Sequence, residues 1–184
     1  MSNKLEQWVI PAYRGPRSFK HTQTQFINAR RVFHDIVARE KPFSILDVGC
    51  GEGLDAGPIS KLGVRYVGID PIEGNLEVAR RDNPGIEFKV GFGQEIPYPD
   101  KSFDWVWTCT VWEILPTPND MELMMKEMLR VARKKIFSLD CDPGARYMSE
   151  RYCSVPQELG LSITRVHYNS EKKKADYLWE IDLE

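Results

Sequence analysis

The sequence predicts an α/β fold: a Rossmann-like, mostly parallel seven-stranded sheet with helices on both faces and an antiparallel hairpin at its C-terminal end. Three observations predict it. Short apolar runs alternate with helix-compatible segments from Phe43 to Leu139, the pattern of parallel strands joined by helical crossovers. The first run ends in Ile45-Leu46-Asp47-Val48-Gly49-Cys50-Gly51-Glu52-Gly53, a strand followed by a tight glycine turn. The last two apolar segments, Ile163–Tyr168 and Tyr177–Leu183, alternate in polarity across a short charged connection, which suits an antiparallel pair.

The elements follow in order. Residues 1–21 form an arm, with Pro11, Gly15 and Pro16 breaking any period. Residues 22–184 form one domain. Thr22 or Thr24 caps a helix to about Arg39, with Phe26, Ala29, Phe33, Ile36 and Val37 on one side. Phe43–Val48 is a buried strand, and Leu54–Leu62 a helix with Gly57 and Pro58 in its first turns. Val64–Ile69 is a strand ending at the turn Asp70-Pro71. Asn75–Arg81 is helical and stops at Asn83-Pro84-Gly85. Ile86–Val90 is the third strand, Gly91–Ser102 a loop, and Phe103–Cys109 the fourth strand. In the helix Pro118–Val131, Met121, Met124, Met125 and Met128 recur at helical spacing and belong to the core. Lys135–Leu139 is the fifth strand, and a short helix lies between Met148 and Leu159.

Bulk properties narrow the function. A net charge of −2 gives no global basic excess. No apolar run is long enough to span a membrane, and no signal-peptide core opens the chain. The four cysteines are widely spaced, without a C-x-x-C pair, so a reduced, cytoplasmic protein is expected. Asp140-Cys141-Asp142 has no histidine beside it, and no metal is expected.

Ligands of such sheets bind beyond the carboxyl ends of the strands. Asp47–Gly53, Asp70, Gly91–Glu95 and Thr108–Glu113 all fall there and should line one crevice. The alternate glycines let a ligand lie against the backbone. The helix start behind them should offer N–H groups to a negative group. Dinucleotide turns read G-x-G-x-x-G. Here the third glycine comes one position early, and Leu54 stands in its place.

Five segments in register resemble the class I S-adenosylmethionine (SAM)-dependent methyltransferases, in particular the small-domain, ubiquinone-biosynthesis-type group. They are ILDVGCGEG at 45–53, YVGIDPIEGNLEVAR at 66–80, GFGQEIPYPDKSFDWV at 91–106, TCTVWEIL at 108–115 and MLRVARK at 128–134. The resemblance implies SAM as cofactor and S-adenosylhomocysteine as product. It implies that Asp70, 19 positions after Gly51, takes the ribose hydroxyls, with Pro71 and Ile72 beside the adenine. Asp47, Gly49, Cys50, Gly51 and Gly53 would border the methionyl part, and Thr108 the sulfonium. The family's adenine-facing acid is replaced by Phe92, so either Gly93, Gln94 and Glu95 become the adenine contacts or the Phe92 ring stacks on the adenine.

Thr110 and Trp112, with Tyr13 and Arg14 of the arm acting as a lid, are the acceptor-side candidates. Related enzymes often carry histidine at the positions of Thr110 and Ile114; this chain does not. Glu113, His21 and Tyr13 remain as candidate bases. The Asp/Asn-Pro-Pro-Tyr/Phe segment used on base amines is absent, which argues against amino-methylation of DNA bases. The expected activity is methyl transfer to a small molecule. One alternative is RNA, through Arg14, Arg17, Lys20, His21 and Lys172–Lys174. Another is a non-catalytic SAM-binding partner protein. The sequence leaves the oligomeric state open.

Overall fold

The structure, a computed structural model, describes residues 27–141, 162–168 and 176–183. The helices are α1 (Ile27–Glu40), α2 (Ala56–Ser60), α3 (Glu73–Asp82) and α4 (Pro118–Val131), with one 3-10 turn at Trp112–Ile114. The strands are β1 (Ser44–Val48), β2 (Arg65–Asp70), β3 (Glu87–Val90), β4 (Phe103–Cys109), β5 (Ala132–Cys141), β6 (Ser162–Tyr168) and β7 (Asp176–Asp182). They form one seven-stranded sheet in the order β3-β2-β1-β4-β5-β7-β6. The pairs among β1 to β5 are parallel, whereas β7 is antiparallel to both β5 and β6. Strand order reverses between β2-β1 and β4, the place where open α/β sheets take ligands.

Strand alternation divides the core between two faces. Ile45, Tyr66, Trp105, Trp107 and Phe137 pack on Phe33 and Val37 of α1, Ile59 of α2 and Leu76 of α3. Phe33 stacks on Trp107 with centroids 3.8 Å apart and planes 5° from parallel. Leu46, Val48, Val67, Ile69, Val106 and Ile136 turn the other way, onto Met121, Met124, Met125 and Met128 of α4. The four methionines are therefore core.

Of the boundaries that differ from the sequence reading, three stand out. The helix after the glycine turn is five residues, Ala56–Ser60, rather than Leu54–Leu62. Residues 51–55 remain in turns, and Gly57 and Pro58 are poor helix formers. Asp70 closes β2, paired with Val90, rather than belonging to the turn. Strand β5 begins at Ala132, which pairs with Phe103. Ala132 is also the C-cap of α4, so the chain passes from helix to strand with no loop. The arm 1–21, the cap at Thr22 or Thr24, the helix expected between Met148 and Leu159, and Lys172–Lys174 lie outside the described residues. Among the described residues, no helix is long and apolar enough to cross a membrane.

Candidate functional site

The glycine loop follows β1 at the carboxyl end of the sheet. Gly49, Gly51 and Gly53 have φ of 78°, 54° and 73°, a region that L side chains rarely enter. A Cβ on Gly49 would collide with Cγ2 of Val111, and one on Gly53 would lie 3.0 Å from the Phe88 ring. At these two positions glycine is thus required by backbone shape and by the protein's own packing. The loop's N–H groups also turn inward. Those of Gly49 and Cys50 donate to the Ile69 carbonyl (2.8 and 3.0 Å), and that of Gly53 to the Cys50 carbonyl (3.0 Å). The Gly51 N–H donates to Asp70 Oδ2 at 3.0 Å. At these four residues the N–H groups are therefore engaged within the protein.

Acids border the loop instead. Asp70 is 6% exposed. Besides Gly51, its carboxylate accepts the Ile72 N–H (2.9 Å) and the Asn75 side-chain amide (3.1 Å). Burial pushes its pKa up, against these donors. Asp70 thereby ties the glycine loop to the start of α3, and Pro71 and Ile72 lie half-buried beside it. Asp47 is buried and accepts the Tyr66 hydroxyl at 2.5 Å. Burial, then the charge of Asp55, raise its pKa. Cys50 is a free, buried thiol whose pKa is raised by burial and then by Asp47.

Beneath the loop lies a polar cluster that the sequence reading did not assemble. Asp55 receives Arg30 Nη1, His34 Nε2 (2.8 Å) and Trp107 Nε1 (3.1 Å). Burial alone would raise its pKa, but the Arg30 charge and the His34 and Arg30 hydrogen bonds hold it below the usual carboxylate range. Arg30 and His34 share one face of α1, four residues apart. That spacing was the available signal. Their partner lies 25 and 21 positions away, and nothing local indicates it.

The loop Gly91–Ser102 comes to the same end of the sheet. Phe92 and Gly93 are half-buried and Glu95 is exposed. Gln94 is 8% exposed, with its side-chain nitrogen 3.5 Å from Asp120 Oδ1; its amide is directed at α4. Near the end of β4, the Thr108 side chain is fully buried and its hydroxyl donates to the Val48 carbonyl at 2.9 Å. Expected beside the sulfonium, Thr108 has a hydroxyl that joins β4 to β1. Trp112, placed at the acceptor by the sequence reading, is also fully buried and donates to Ser138 Oγ at 2.7 Å. Thr110 is half-buried with φ 57°, an outlier for a β-branched residue. Its N–H continues the sheet by donating to the Leu139 carbonyl at 2.8 Å. Glu113 lies in the 3-10 turn, followed by Ile114 at 40% exposure. Tyr13, Arg14 and His21 lie outside the described residues.

The methyltransferase-domain family matches residues 46–137. A ubiquinone biosynthesis O-methyltransferase of Pelagibacter ubique is 34% identical over 72% of the chain and 58% of its own length. A probable chloroplastic tocopherol O-methyltransferase of Oryza sativa subsp. japonica is 33% identical over 63% of the chain and 31% of its own length. The chain thus spans little more than half of the first relative and a third of the second. The solved PH0226 protein of Pyrococcus horikoshii OT3 superposes with a TM-score of 0.72 at 17% identity, covering 92% of this chain and 97% of that one. At that identity the likeness speaks for the fold alone.

Proposed function

Since the chain belongs to the class I SAM-dependent methyltransferase family, we propose that it transfers the methyl group of SAM to a small-molecule acceptor, releasing S-adenosylhomocysteine. The observation that carries this is the polarity of the glycine loop. A pyrophosphate needs outward N–H donors, but those of Gly49, Cys50, Gly51 and Gly53 are engaged inside the protein. Asp47 and Asp70 lie directly alongside, which suits a ligand that carries a sulfonium and an ammonium.

In this reading the adenosyl end lies along Asp70, Pro71, Ile72, Phe92, Gly93 and Glu95. The methionyl end crosses Gly49–Gly53. Asp70 offers its remaining acceptor capacity to the ribose while it fixes the loop. The reaction is an in-line displacement at the sulfonium methyl, and most of the protein's contribution is alignment. Thr110 and Ile114 form the acceptor rim. The exposure of Ile114 and the half-buried Val111 and Leu115 beside it favour an apolar acceptor, in keeping with the relatives' named O-methylations. Glu113 is the base for an acceptor that must lose a proton, with His21 and Tyr13 supplied by the arm. A cytoplasmic setting accords with the buried thiols of Cys50 and Cys109.

Calorimetry with S-adenosylhomocysteine and with NAD tests the cofactor. Binding of the first and not the second is expected, and the reverse overturns the reading. Radiolabelled SAM offered to a metabolite pool and to RNA, at low and moderate salt, tests the acceptor. Label confined to RNA and lost as salt rises would assign an RNA acceptor instead.

A further inference from the structure

Arg130, in the last turn of α4, uses all five of its N–H groups. Nε and Nη2 donate to the two Glu127 oxygens, each at 2.7 Å. Nη1 donates to the Tyr98 carbonyl and to Asp100 Oδ1, each at 2.8 Å, and Nη2 also to the Ile96 carbonyl at 3.0 Å. Glu127 Oε2 in turn accepts the Ile96 N–H at 2.8 Å. Residue 96 is therefore held by both its N–H and its C=O. The Lys101 N–H then closes on the Arg130 carbonyl at 2.8 Å. A planar fork with five donors can grip two carbonyls and two carboxylates together, whereas an ammonium has three donors and no plane.

The gripped residues follow directly on Phe92–Glu95, the part of the loop that the proposed function places along the adenosyl end. That part leans on the same helix. A Cβ on Gly93 would lie 2.7 Å from Met124 Sδ, and Gln94 approaches Asp120. Asp120, Met124, Glu127 and Arg130 are spaced four, three and three residues apart, which is one stripe of a helix. Gly91–Ser102 has almost no regular structure of its own, and a free loop of that length would sample many conformations.

We propose that Arg130, seated by Glu127, is a positioning residue for the cofactor: it holds Phe92–Glu95 preformed at the crevice. The adenosyl end then binds without first ordering the loop, and apparent affinity is not divided by a small competent fraction. The proposal rests on the methyltransferase reading.

The test is calorimetry of the wild-type chain, Arg130→Met and Arg130→Lys with S-adenosylhomocysteine and 5′-methylthioadenosine, which share only the adenosyl end. Circular dichroism confirms that each variant is folded. Hydrogen exchange follows the amides of Glu95, Ile96 and Lys101. Arg130→Met is expected to weaken both ligands by one common factor of about ten, as when the competent loop fraction falls to roughly a tenth. The loop amides should exchange faster while those of β1 and β4 do not change. Arg130→Lys should recover part of both effects. Glu127→Gln, a milder change, should move both readouts the same way and serves if Arg130→Met does not fold. Loosened loop amides with unchanged affinities would overturn the positioning role. So would unchanged amides in folded Arg130→Met. If the wild type binds neither ligand, the methyltransferase reading falls and the proposal with it.

Discussion

The loop after β1 and the loop after β3 reach the same end of the sheet by different means. Gly49–Gly53 is shaped by its own backbone, with three left-handed glycines and N–H groups bonded to Ile69, Cys50 and Asp70. Buried charge supports it from below, through Asp55 with Arg30 and His34. Gly91–Ser102 has no left-handed glycine among its residues. It takes its shape from side chains of α4 that reach about 30 positions back along the chain. The first device is stiff but depends on buried ions. The second leaves the ions half-exposed at the surface and acts through carbonyl bonds.

The largest expected effect comes from breaking the support of the first loop alone. Asp55→Ala leaves the Arg30 cation buried without its partner and removes an acceptor from Trp107. Loss of one member of a buried pair costs about 3–5 kcal/mol. Chemical denaturation should register that loss. Hydrogen exchange should show α1 and the glycine loop loosened, with Ile96 and Lys101 unchanged. If both loops loosen together, they are one cooperative unit and the comparison fails.

Gly49→Ala tests the shape of the same loop. A left-handed alanine costs about 1–2 kcal/mol, and a Cβ against Val111 adds about 1–3 kcal/mol of overpacking. A total of about 2–5 kcal/mol is expected in denaturation, partly relieved by the double variant Gly49→Ala, Val111→Ala. Absence of that relief would mean that φ alone demands glycine here.

These two loops also differ in how much of each was legible in the sequence. Alternate glycines after an apolar run mark a turn by local chemistry, so the first loop and a mostly parallel sheet with an antiparallel end could be read from the sequence, whereas the order of the strands was not. Asp70 was legible as an acid at the end of the second strand but not as the brace that joins Gly51, Ile72 and Asn75. Thr108 and Trp112 were placed at the ligand from their position along the chain. The direction of each side chain is decided by distant partners, the Val48 carbonyl and the Ser138 hydroxyl. Arg130 and Asp55 escaped for the same reason: their long-range bonds cross 21 to 52 positions, beyond any local period.

A pH series sharpens the contrast, because opposed buried carboxyls lie under only one of the two loops. Folding raises the Asp47 pKa above its ordinary value of 3.8, through burial and then Asp55. The folded state therefore holds more protons than the unfolded one, and this contribution falls as pH rises above 3.8. Asp47→Asn should thus gain Tm relative to wild type as pH rises from 4 towards neutrality. Asp55 is shifted the opposite way. Its stabilisation is present above 3.8 and is lost as pH falls through the lower folded value, so the Tm deficit of Asp55→Asn should shrink in acid. Parallel pH curves for both variants and the wild type would show that neither carboxyl titrates differently on folding.

The smallest expected effect concerns Thr110, where left-handed backbone recurs outside the glycines. Thr110→Gly removes a strain of about 1–2 kcal/mol but adds about 0.5–1 kcal/mol of unfolded-chain entropy, and the Leu139 hydrogen bond is kept. Denaturation should therefore shift by about 0–1.5 kcal/mol, in the stabilising direction. Thr110→Val keeps the strain and the shape but not the hydroxyl. If the residue touches the acceptor, methyl transfer should fall in the glycine variant while affinity for S-adenosylhomocysteine stays constant. Transfer in the valine variant then tells whether shape or the hydroxyl matters. A glycine variant that is stabilised and fully active would show that the strain serves no acceptor, and that left-handed backbone at this end of the sheet matters only in the glycine loop.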